Sequence, residues 1–240
     1  MGWRKILEAE HRLMLEVAEA ADKECDHIAA TGAIRADLVG DILGFFRFFC
    51  DGLHDPKEDG LLFARCHKRG MTDDDEPLEQ MLGEHEWCAG RLDRLQVELK
   101  ELPEGDSDAA LAFAADLREY VEVVRCHMEV EETVFFDTAQ HYLTQHDREE
   151  LTEEFEAVHY DEVEEGVQAY WEELAHRLAA AERQPYSQAV CPSLKEACMS
   201  SAAWRAAPIA RMTVAAPVTM SPPAHTLGTL VRPDSVNVRM

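Results

Sequence analysis

Apolar side chains recur every three to four positions along most of the chain, and no stretch alternates between apolar and polar residues as a half-buried strand does. This period places the apolar residues on one face of an α-helix. Glycine and proline interrupt the pattern at a few points, and each interruption marks a helix end. The sequence therefore predicts five helices, over residues 3–30, 35–68, 76–101, 108–142 and 147–183.

The predicted fold class is all-α. The links between the first four helices are short, which favours antiparallel neighbours, so we predict an antiparallel, up-down four-helix bundle. The helix over residues 147–183 is an additional C-terminal helix. Its apolar stripe is predicted to consist of Leu151, Phe155, Val158, Val167, Trp171, Leu174 and Leu178.

The composition changes at Pro185. Seven of the ten prolines lie at or beyond this residue, and the segment that follows it holds two acidic and five basic residues with no helical stripe. Such a composition is typical of disordered segments. We therefore predict one domain over residues 1–184 and a low-complexity, disordered C-terminal tail over residues 185–240.

One polar stretch interrupts the apolar face of the second predicted helix. An apolar run, FFRFFC, is followed by HDPKEDGLLF (54–63), in which His54 and Glu58 are four residues apart and Pro56 lies between them. A proline inside a helix removes an N–H donor and bends the helix. We predict that the helix continues beyond the bend, because the apolar pattern resumes at Leu61.

The same polar pattern returns in the fourth predicted helix. The stretch HMEVEETVFF (127–136) again places a histidine, His127, four residues before a glutamate, Glu131, and it contains no proline. Residues four apart lie on the same face of a helix. The first and third predicted helices carry a different motif, Glu-His, which ends at His11 and at His85. The chain therefore contains one unit twice.

The spacing of the four histidines supports this repeat. His11 and His54 are 43 residues apart, and His85 and His127 are 42 residues apart. At about 1.5 Å per residue, each histidine also lies at nearly the same distance as its partner from the turn between their helices. In an antiparallel bundle, four imidazoles and two carboxylates are therefore predicted to share one layer.

Such a layer predicts a bound cation, because burying so many polar groups without a partner costs several kcal/mol. Neutral imidazoles together with carboxylates suit first-row metals, iron above all, and also manganese or zinc. Two carboxylates in His-x-x-x-Glu pairs are able to bridge two ions, with imidazoles on each ion. The candidate metal ligands are His11, His54, Glu58, His85, His127 and Glu131.

Charge and cysteine content narrow the class of protein. The formal net charge of −25 argues against nucleic acid and anionic membranes as partners, because phosphate groups would be repelled. Seven cysteines without a CxxC motif do not resemble a disulfide framework, which favours a reducing cytoplasmic compartment. We expect no signal peptide, and no stretch approaches the roughly 20 apolar residues of a membrane span.

The other histidines and cysteines are predicted to lie outside the polar layer. Five histidines lie near helix ends or in the tail, and we expect them to be exposed to solvent: His27, His67, His141, His146 and His225. His159 and His176 would reach the layer only if the fifth helix packs on it. Three cysteines on ligand-bearing helices are predicted to be small apolar core residues, Cys50, Cys88 and Cys126.

The chain resembles the hemerythrin-like, or HHE cation-binding, family over about residues 1–180. The stretches that carry the resemblance are EHRLMLE, FCDGLHDPKEDGLLF, MLGEHEWCAGRL and CHMEVEETVFF. The resemblance implies an antiparallel four-helix bundle around a non-haem di-iron centre. It also implies that the six candidate residues are the ligands and that Glu58 and Glu131 bridge the two ions.

Two positions depart from the family pattern. Oxygen-carrying hemerythrins have a further histidine one turn after the one in the third helix, and Ala89 occupies that place here. Many bacterial members read His-His-x-Lys-Glu in the second helix, and Asp55 replaces the second histidine here. Asp55 either adds an oxygen ligand or faces solvent. A centre that is short of one imidazole is more open, which favours redox or sensing chemistry over reversible oxygen carriage.

Three functions follow from this reading. The leading hypothesis is a cytoplasmic di-iron protein that binds O2, nitric oxide or peroxide and serves in sensing, scavenging or iron handling. The second is a di-iron enzyme, a peroxidase or nitric-oxide reductase, in which Tyr120 and Trp87 are redox candidates, although core packing is favoured for both. The third is a helical interaction bundle stapled by zinc, with the fifth helix as its docking surface.

Overall fold

A computed structural model describes residues 2–72, 74–157 and 167–180 of the chain. These residues are helical apart from short connections, and the described part contains no strand. The predicted all-α class is therefore confirmed. The first helix, Trp3–Thr31, ends at Gly32, where φ is 67° and the N–H donates to the carbonyl oxygen of Ile28 at 2.7 Å. Glycine adopts this left-handed conformation without the steric cost that a Cβ atom brings.

The second helix continues through Pro56, as predicted, but its winding changes along its length. It consists of the α-helical Ala36–Phe45, the π-helical Phe46–His54, the α-helical Asp55–Lys57, the π-helical Glu58–Phe63 and the α-helical Ala64–Lys68. A proline lacks an N–H and crowds the carbonyl of the preceding turn. The wider π-helical turn before Pro56 accommodates this crowding and leaves the helix uninterrupted.

The third helix is Glu76–Glu101, and the fourth consists of Ser107–Val130, the π-helical Glu131–Phe135 and Phe136–Tyr142. The side chain of Asp106 caps the fourth helix by accepting hydrogen bonds from two backbone N–H groups. The second and fourth helices both widen into a π-helical turn at the glutamate of the His-x-x-x-Glu motif. Because the fourth helix has no proline there, this shared turn does not depend on Pro56.

The fifth predicted helix is described as two helices, Gln145–Ala157 and Val167–Ala180, and residues 158–166 lie outside the described residues. Both helices pack on the first helix. Trp171 stacks on Phe48 with ring centroids 4.6 Å apart. The described side chains of the predicted apolar stripe are buried within the chain: Leu151, Phe155, Trp171, Leu174 and Leu178.

The predicted tail, residues 185–240, lies outside the described residues, as do Val158 and His159. The domain boundary at residue 184 therefore stays a prediction. Among the described helices, none combines the length and the apolar character that crossing a membrane requires.

The first helix contacts the second and the fourth, and the third helix also contacts the second and the fourth. Two separate apolar clusters fill the space between these four helices. One cluster is built around Phe46, Phe49 and Tyr120. The other is built around Phe63, Phe135 and Phe136. On every helix, the candidate ligands lie where the residues of one cluster give way to those of the other, so a polar layer divides the core.

Two glycines test this description of the helices. A Cβ atom at Gly32 would lie 2.8 Å from the Cβ atom of Ser107, in addition to the strain of a left-handed backbone, whereas a Cβ atom at Gly90 meets open space in the third helix. We expect Gly32→Ala to lower the free energy of unfolding by about 1–2 kcal/mol. We expect Gly90→Ala, the matched control, to raise it by about 0.5–1 kcal/mol. Urea denaturation measures both, and an unchanged Gly32→Ala variant would contradict the left-handed turn.

Candidate metal centre

The structure brings all six sequence-predicted residues together in one buried layer. Each of them is buried: His11, His54, Glu58, His85, His127 and Glu131. They form two groups, and within each group one ligand atom from every residue lies within 4.8 Å of the others. The first group contains His11 and His54, the second contains His85 and His127, and both glutamates belong to both groups. The arrangement therefore defines two adjacent cation positions that share two carboxylates.

The first position is bounded by imidazole nitrogens and carboxylate oxygens at short range. His11 Nε2 lies 3.1 Å from His54 Nε2. It also lies 3.2 Å from Glu131 Oε2, and His54 Nε2 lies 3.5 Å from Glu58 Oε1. Two ligand atoms that bind one cation at about 2.1 Å and at right angles are about 3.0 Å apart, so this spacing suits a common cation.

The second position repeats the first with nearly the same distances. His85 Nε2 lies 3.1 Å from His127 Nε2. Glu58 Oε2 lies 3.4 Å from His85 Nε2, and Glu131 Oε2 lies 3.6 Å from His127 Nε2. Each glutamate therefore faces one histidine of its own helix and one histidine from the other half of the repeat, as a bridging carboxylate must.

The two glutamates provide the test of whether a metal fits. All four of their carboxylate oxygens are buried, and none of them accepts a hydrogen bond. The neighbouring Nε2 atoms lie 3.2–3.6 Å away, but no hydrogen bond joins them to these oxygens. A buried polar atom without a partner is costly, and two ionised carboxylates without one are more costly still. A pair of cations between the imidazoles and these oxygens satisfies all four atoms, so the residues present fit a metal.

Every imidazole of the layer has a carboxylate at its other ring nitrogen. The Nδ1 atoms of the four histidines pair as follows: His11 with Glu132 at 2.9 Å, His54 with Glu10 at 3.0 Å, His85 with Asp59 at 3.0 Å and His127 with Glu84 at 2.8 Å. We assign the proton to Nδ1 on the basis of these contacts. The Nε2 lone pair of each ring then points into the centre, which is the tautomer that a metal-binding histidine needs.

These four outer carboxylates were missed in the sequence-based prediction of ligands. The signal was present, because each acid is adjacent in sequence to a predicted ligand: Glu10 and Glu84 precede a histidine, and Asp59 and Glu132 follow a glutamate. Each acid supports a histidine of a different helix from its own. A local pattern identifies the acid but not the imidazole that it contacts, since that depends on how the helices pack.

Aromatic rings close the layer on one side. The ring of His11 stacks on Phe136, and the ring of His85 stacks on Phe63, with centroids 5.9 Å apart in both pairs. The two contacts occupy equivalent places in the repeat. They hold the imidazole planes and exclude water from the centre.

Carboxylates raise the pKa of imidazoles in the layer before any cation binds. Burial lowers the pKa of His11, but Glu131 and Glu132 beside it raise that pKa to about 10. The same competition raises the pKa of His85, where burial is opposed by Asp55, Asp59 and Glu58. In the absence of metal, His11 and His85 therefore retain protons. The field of the carboxylates favours positive charge at the places where cations would bind.

One cation of the protein itself breaks the symmetry of the repeat. Lys57 is only 3% exposed, and its Nζ donates to the buried carboxylate of Glu10. Burial raises the pKa of a carboxyl group, but His54 and Lys57 lower that of Glu10 below its ordinary value. Val130 occupies the equivalent place in the other half, where Glu84 instead accepts a hydrogen bond from Gln80 at 2.9 Å.

The cysteines and His176, which were also considered from the sequence, lie outside the metal centre. Cys50 and Cys88 are buried in the apolar cluster, as predicted, but Cys126 is exposed, so its assignment to the core was wrong. The reason is local, because Cys126 lies on the outward face of its helix, next to the inward-facing His127. His176 is exposed and pairs with Glu16 at 2.8 Å on the surface, away from the layer.

The other histidines also stay out of the centre. His67, His141 and His146 are exposed, as predicted. His27 is half-buried. His225, like His159, lies outside the described residues. Asp55 is half-buried and belongs to neither group of ligands, although its charge acts on His85. Tyr120 is fully buried, and Trp87 is partly buried against the same cluster.

The fold and the site define a helical protein with a buried histidine–glutamate site suited to metal cations. The family described as hemerythrin HHE cation binding domain matches residues 4–139, a span that includes all six candidate ligands. The chain therefore belongs to this family, and the resemblance found in its sequence is confirmed. Comparison with curated proteins and with solved structures gave no match.

The ion pair between Lys57 and Glu10 supports a prediction about stability. Lys57→Met leaves the Glu10 carboxylate buried beside His54 without its cation, and we expect this to lower the free energy of unfolding by about 3–5 kcal/mol. Glu10→Gln combined with Lys57→Met removes both charges, so we expect the double variant to recover most of that loss. Urea denaturation of the metal-free chains measures the cycle. A double variant that loses as much stability as Lys57→Met alone, or more, would contradict the expected recovery.

Proposed function

We propose that this chain is a non-haem di-iron protein that binds a small ligand, O2, nitric oxide or peroxide, at its metal centre. The observation that carries the proposal is the pair of bridging glutamates, whose four oxygens are buried without hydrogen bonds between two pairs of Nε2 atoms. Sensing, scavenging and iron handling all use such a centre. The family match supports cation binding, and the iron and its ligand are our inference.

The donor set favours iron over zinc. Structural zinc sites are closed by four ligands, often with thiolates, and neither group here includes a cysteine. Two imidazoles and two shared carboxylates give each ion four protein donors, which leaves room for more in the six-coordinate geometry that iron accepts. Iron would supply redox chemistry and an open coordination position. The protein holds the ions with the inner ring of residues and orients the imidazoles with the outer carboxylates.

The described helices support an up-down arrangement of the bundle. The first helix passes from the cluster around Phe63 to the cluster around Tyr120, and the second helix passes in the reverse order. The third helix passes between the clusters in the same direction as the first, and the fourth passes in the same direction as the second. We infer that successive helices run antiparallel, which is the topology that places all four histidines at one depth.

Burial of the centre favours a very small ligand. His11 is 0% exposed and His85 is 9% exposed, the largest value among the six residues. The second position, at His85 and His127, is therefore the one nearer to solvent. A diatomic molecule or a peroxide passes through such an opening more easily than an organic substrate does, so we infer that the ligand enters beside His85.

Metal analysis of the full chain tests the proposal. Protein from iron-supplied cells is expected to hold about two irons per chain, with visible absorption from iron(III). His54→Ala and His127→Ala each remove a donor to one position, and both are expected to lower the iron content and the absorption. His146→Ala, at a side chain that is 75% exposed, serves as the matched control and should change neither. Zinc as the only bound metal, without visible absorption, would exclude the di-iron proposal.

A substitution beside His85 tests where the small ligand binds. Ala89 is half-buried and lies one turn after His85, on the same helix face. Ala89→His brings an additional imidazole toward the second position, where it would compete with an incoming ligand. We expect at least a tenfold rise in the Kd for nitric oxide, measured by absorption of the iron-loaded chain. Glu86→His places an imidazole on the exposed face and is expected to leave the Kd unchanged; equal effects of both variants would argue against ligand entry at His85.

A further inference from the structure

A second group of possible metal ligands lies one to two turns before Glu58 in the second helix. Cys50, Asp51 and Asp55 each offer a ligand atom, and these atoms lie within 4.8 Å of one another. None of the three belongs to the groups that share the bridging glutamates. The π-helical winding of Phe46–His54 helps to bring these three side chains together. A π-helical turn holds more residues than an α-helical turn, so it changes which side chains share a face of the helix.

The three side chains concentrate negative charge in a partly buried place. Cys50 is buried, and Asp51 and Asp55 are half-buried. Burial and then the charge of Asp55 raise the pKa of Asp51 to about 7. Arg47 pairs with Asp51, but it also pairs with Asp93 on the surface. Within the described part of the chain, the Asp55 carboxylate accepts no hydrogen bond and forms no ion pair.

A buried hydroxyl beside the cluster provides an independent observation. Tyr120 is 0% exposed, and its Oη atom has no hydrogen-bond partner among the described residues. The ring of Tyr120 packs edge-on against Phe46, one turn before Cys50 in the second helix, with ring centroids 5.2 Å apart. Burial, followed by the charges of Cys50 and Asp51, raises the pKa of Tyr120 well above its ordinary value. A buried hydroxyl without a partner costs about 1–3 kcal/mol. A water molecule on a cation held by the cluster would accept its hydrogen bond.

The cluster also has a defined place relative to the centre. Asp55 follows His54 directly in the chain, and among the groups near His85 its charge contributes most to raising that pKa. Asp51 and Asp55 are partly open to solvent, whereas His54 and Glu58 are not. The cluster therefore adjoins the metal centre in the second helix and is more open to solvent than His54 and Glu58 are.

We propose that Cys50, Asp51 and Asp55 form a third metal site, which binds a divalent transition-metal cation and supplies it to the position at His85 and His127. One sulfur and two carboxylate donors suit Fe2+, Co2+ and Zn2+. The cation replaces the proton of the Cys50 thiol and shares Asp51 with Arg47. Binding at the cluster is independent of the proposed function, whereas the supply of iron to the centre rests on it.

Cobalt(II) distinguishes this site from the centre. Among the groups of possible metal ligands in the described part of the chain, only this cluster contains a sulfur donor. A thiolate-to-cobalt charge-transfer band in the near ultraviolet therefore reports the cluster, while the visible bands report all bound cobalt. In a titration of the metal-free full chain, we expect about three Co2+ to bind per chain. We also expect the charge-transfer band to appear. Cys50→Ser is expected to abolish the band and reduce the count to about two. Asp51→Asn, as a second variant, is expected to raise the Kd of the third ion at least tenfold.

Two other cysteines serve as controls. Cys66 is buried in the other apolar cluster and Cys126 is exposed, so Cys66→Ser and Cys126→Ser should both keep the band. A band that persists in Cys50→Ser, or a wild-type chain without the band, would overturn the third site. If the band is present and the two central cobalt ions are missing, the third site stands and the di-iron proposal fails.

The supply of iron is tested by the rate of loading. We expect Asp55→Asn to slow the incorporation of Fe2+ into the centre at least tenfold without changing the final content of about two irons. The rate is followed by the visible absorption that develops as the metal-free chain is mixed with Fe2+ in air. Glu86→Gln, which removes a charge from the exposed face of the third helix, is the control. Equal rates in the two variants would refute the loading role.

Discussion

The burial of two carboxylates in the middle of an apolar helical bundle is the constraint on which the rest of the site depends. Glu58 and Glu131 have no hydrogen bonds and no access to water, so their charge is balanced by protonated imidazoles in the metal-free chain and by cations once a metal binds. Four imidazoles face these oxygens, and an outer carboxylate holds each imidazole with its Nε2 lone pair inward. The resulting arrangement is complete only with cations, which is why metal binding is the function that the geometry favours.

The helices are adapted to this constraint in their winding. Both glutamates begin a π-helical turn, in one helix with a nearby proline and in the other without one. A wider turn alters the direction of the side chains that follow it, and π-helical turns are often found at functional sites. The two apolar clusters above and below the layer supply the hydrophobic stabilisation. They also limit access to the side of the layer where His85 is slightly exposed.

The repeat is symmetric in its inner residues and asymmetric around them. The position at His11 and His54 has the buried Lys57 nearby, which balances Glu10, whereas the position at His85 and His127 is exposed to the negative charge of Asp55. The two cation positions therefore differ in their electrostatic surroundings although their nearest donors are the same. Such a difference suits a centre in which one ion is retained and the other is the site of loading and of ligand entry.

The sequence by itself determined the helices, the twofold repeat and the six candidate ligands, because helical periodicity and a spacing of four residues are local properties of the chain. Tertiary structure alone decided which acid supports which histidine and that Lys57 neutralises Glu10. These contacts join residues far apart in the chain, and they depend on how the helices pack and on where their winding changes. A local pattern identifies the polar residues of a helix, but only the packed bundle decides which of them meet.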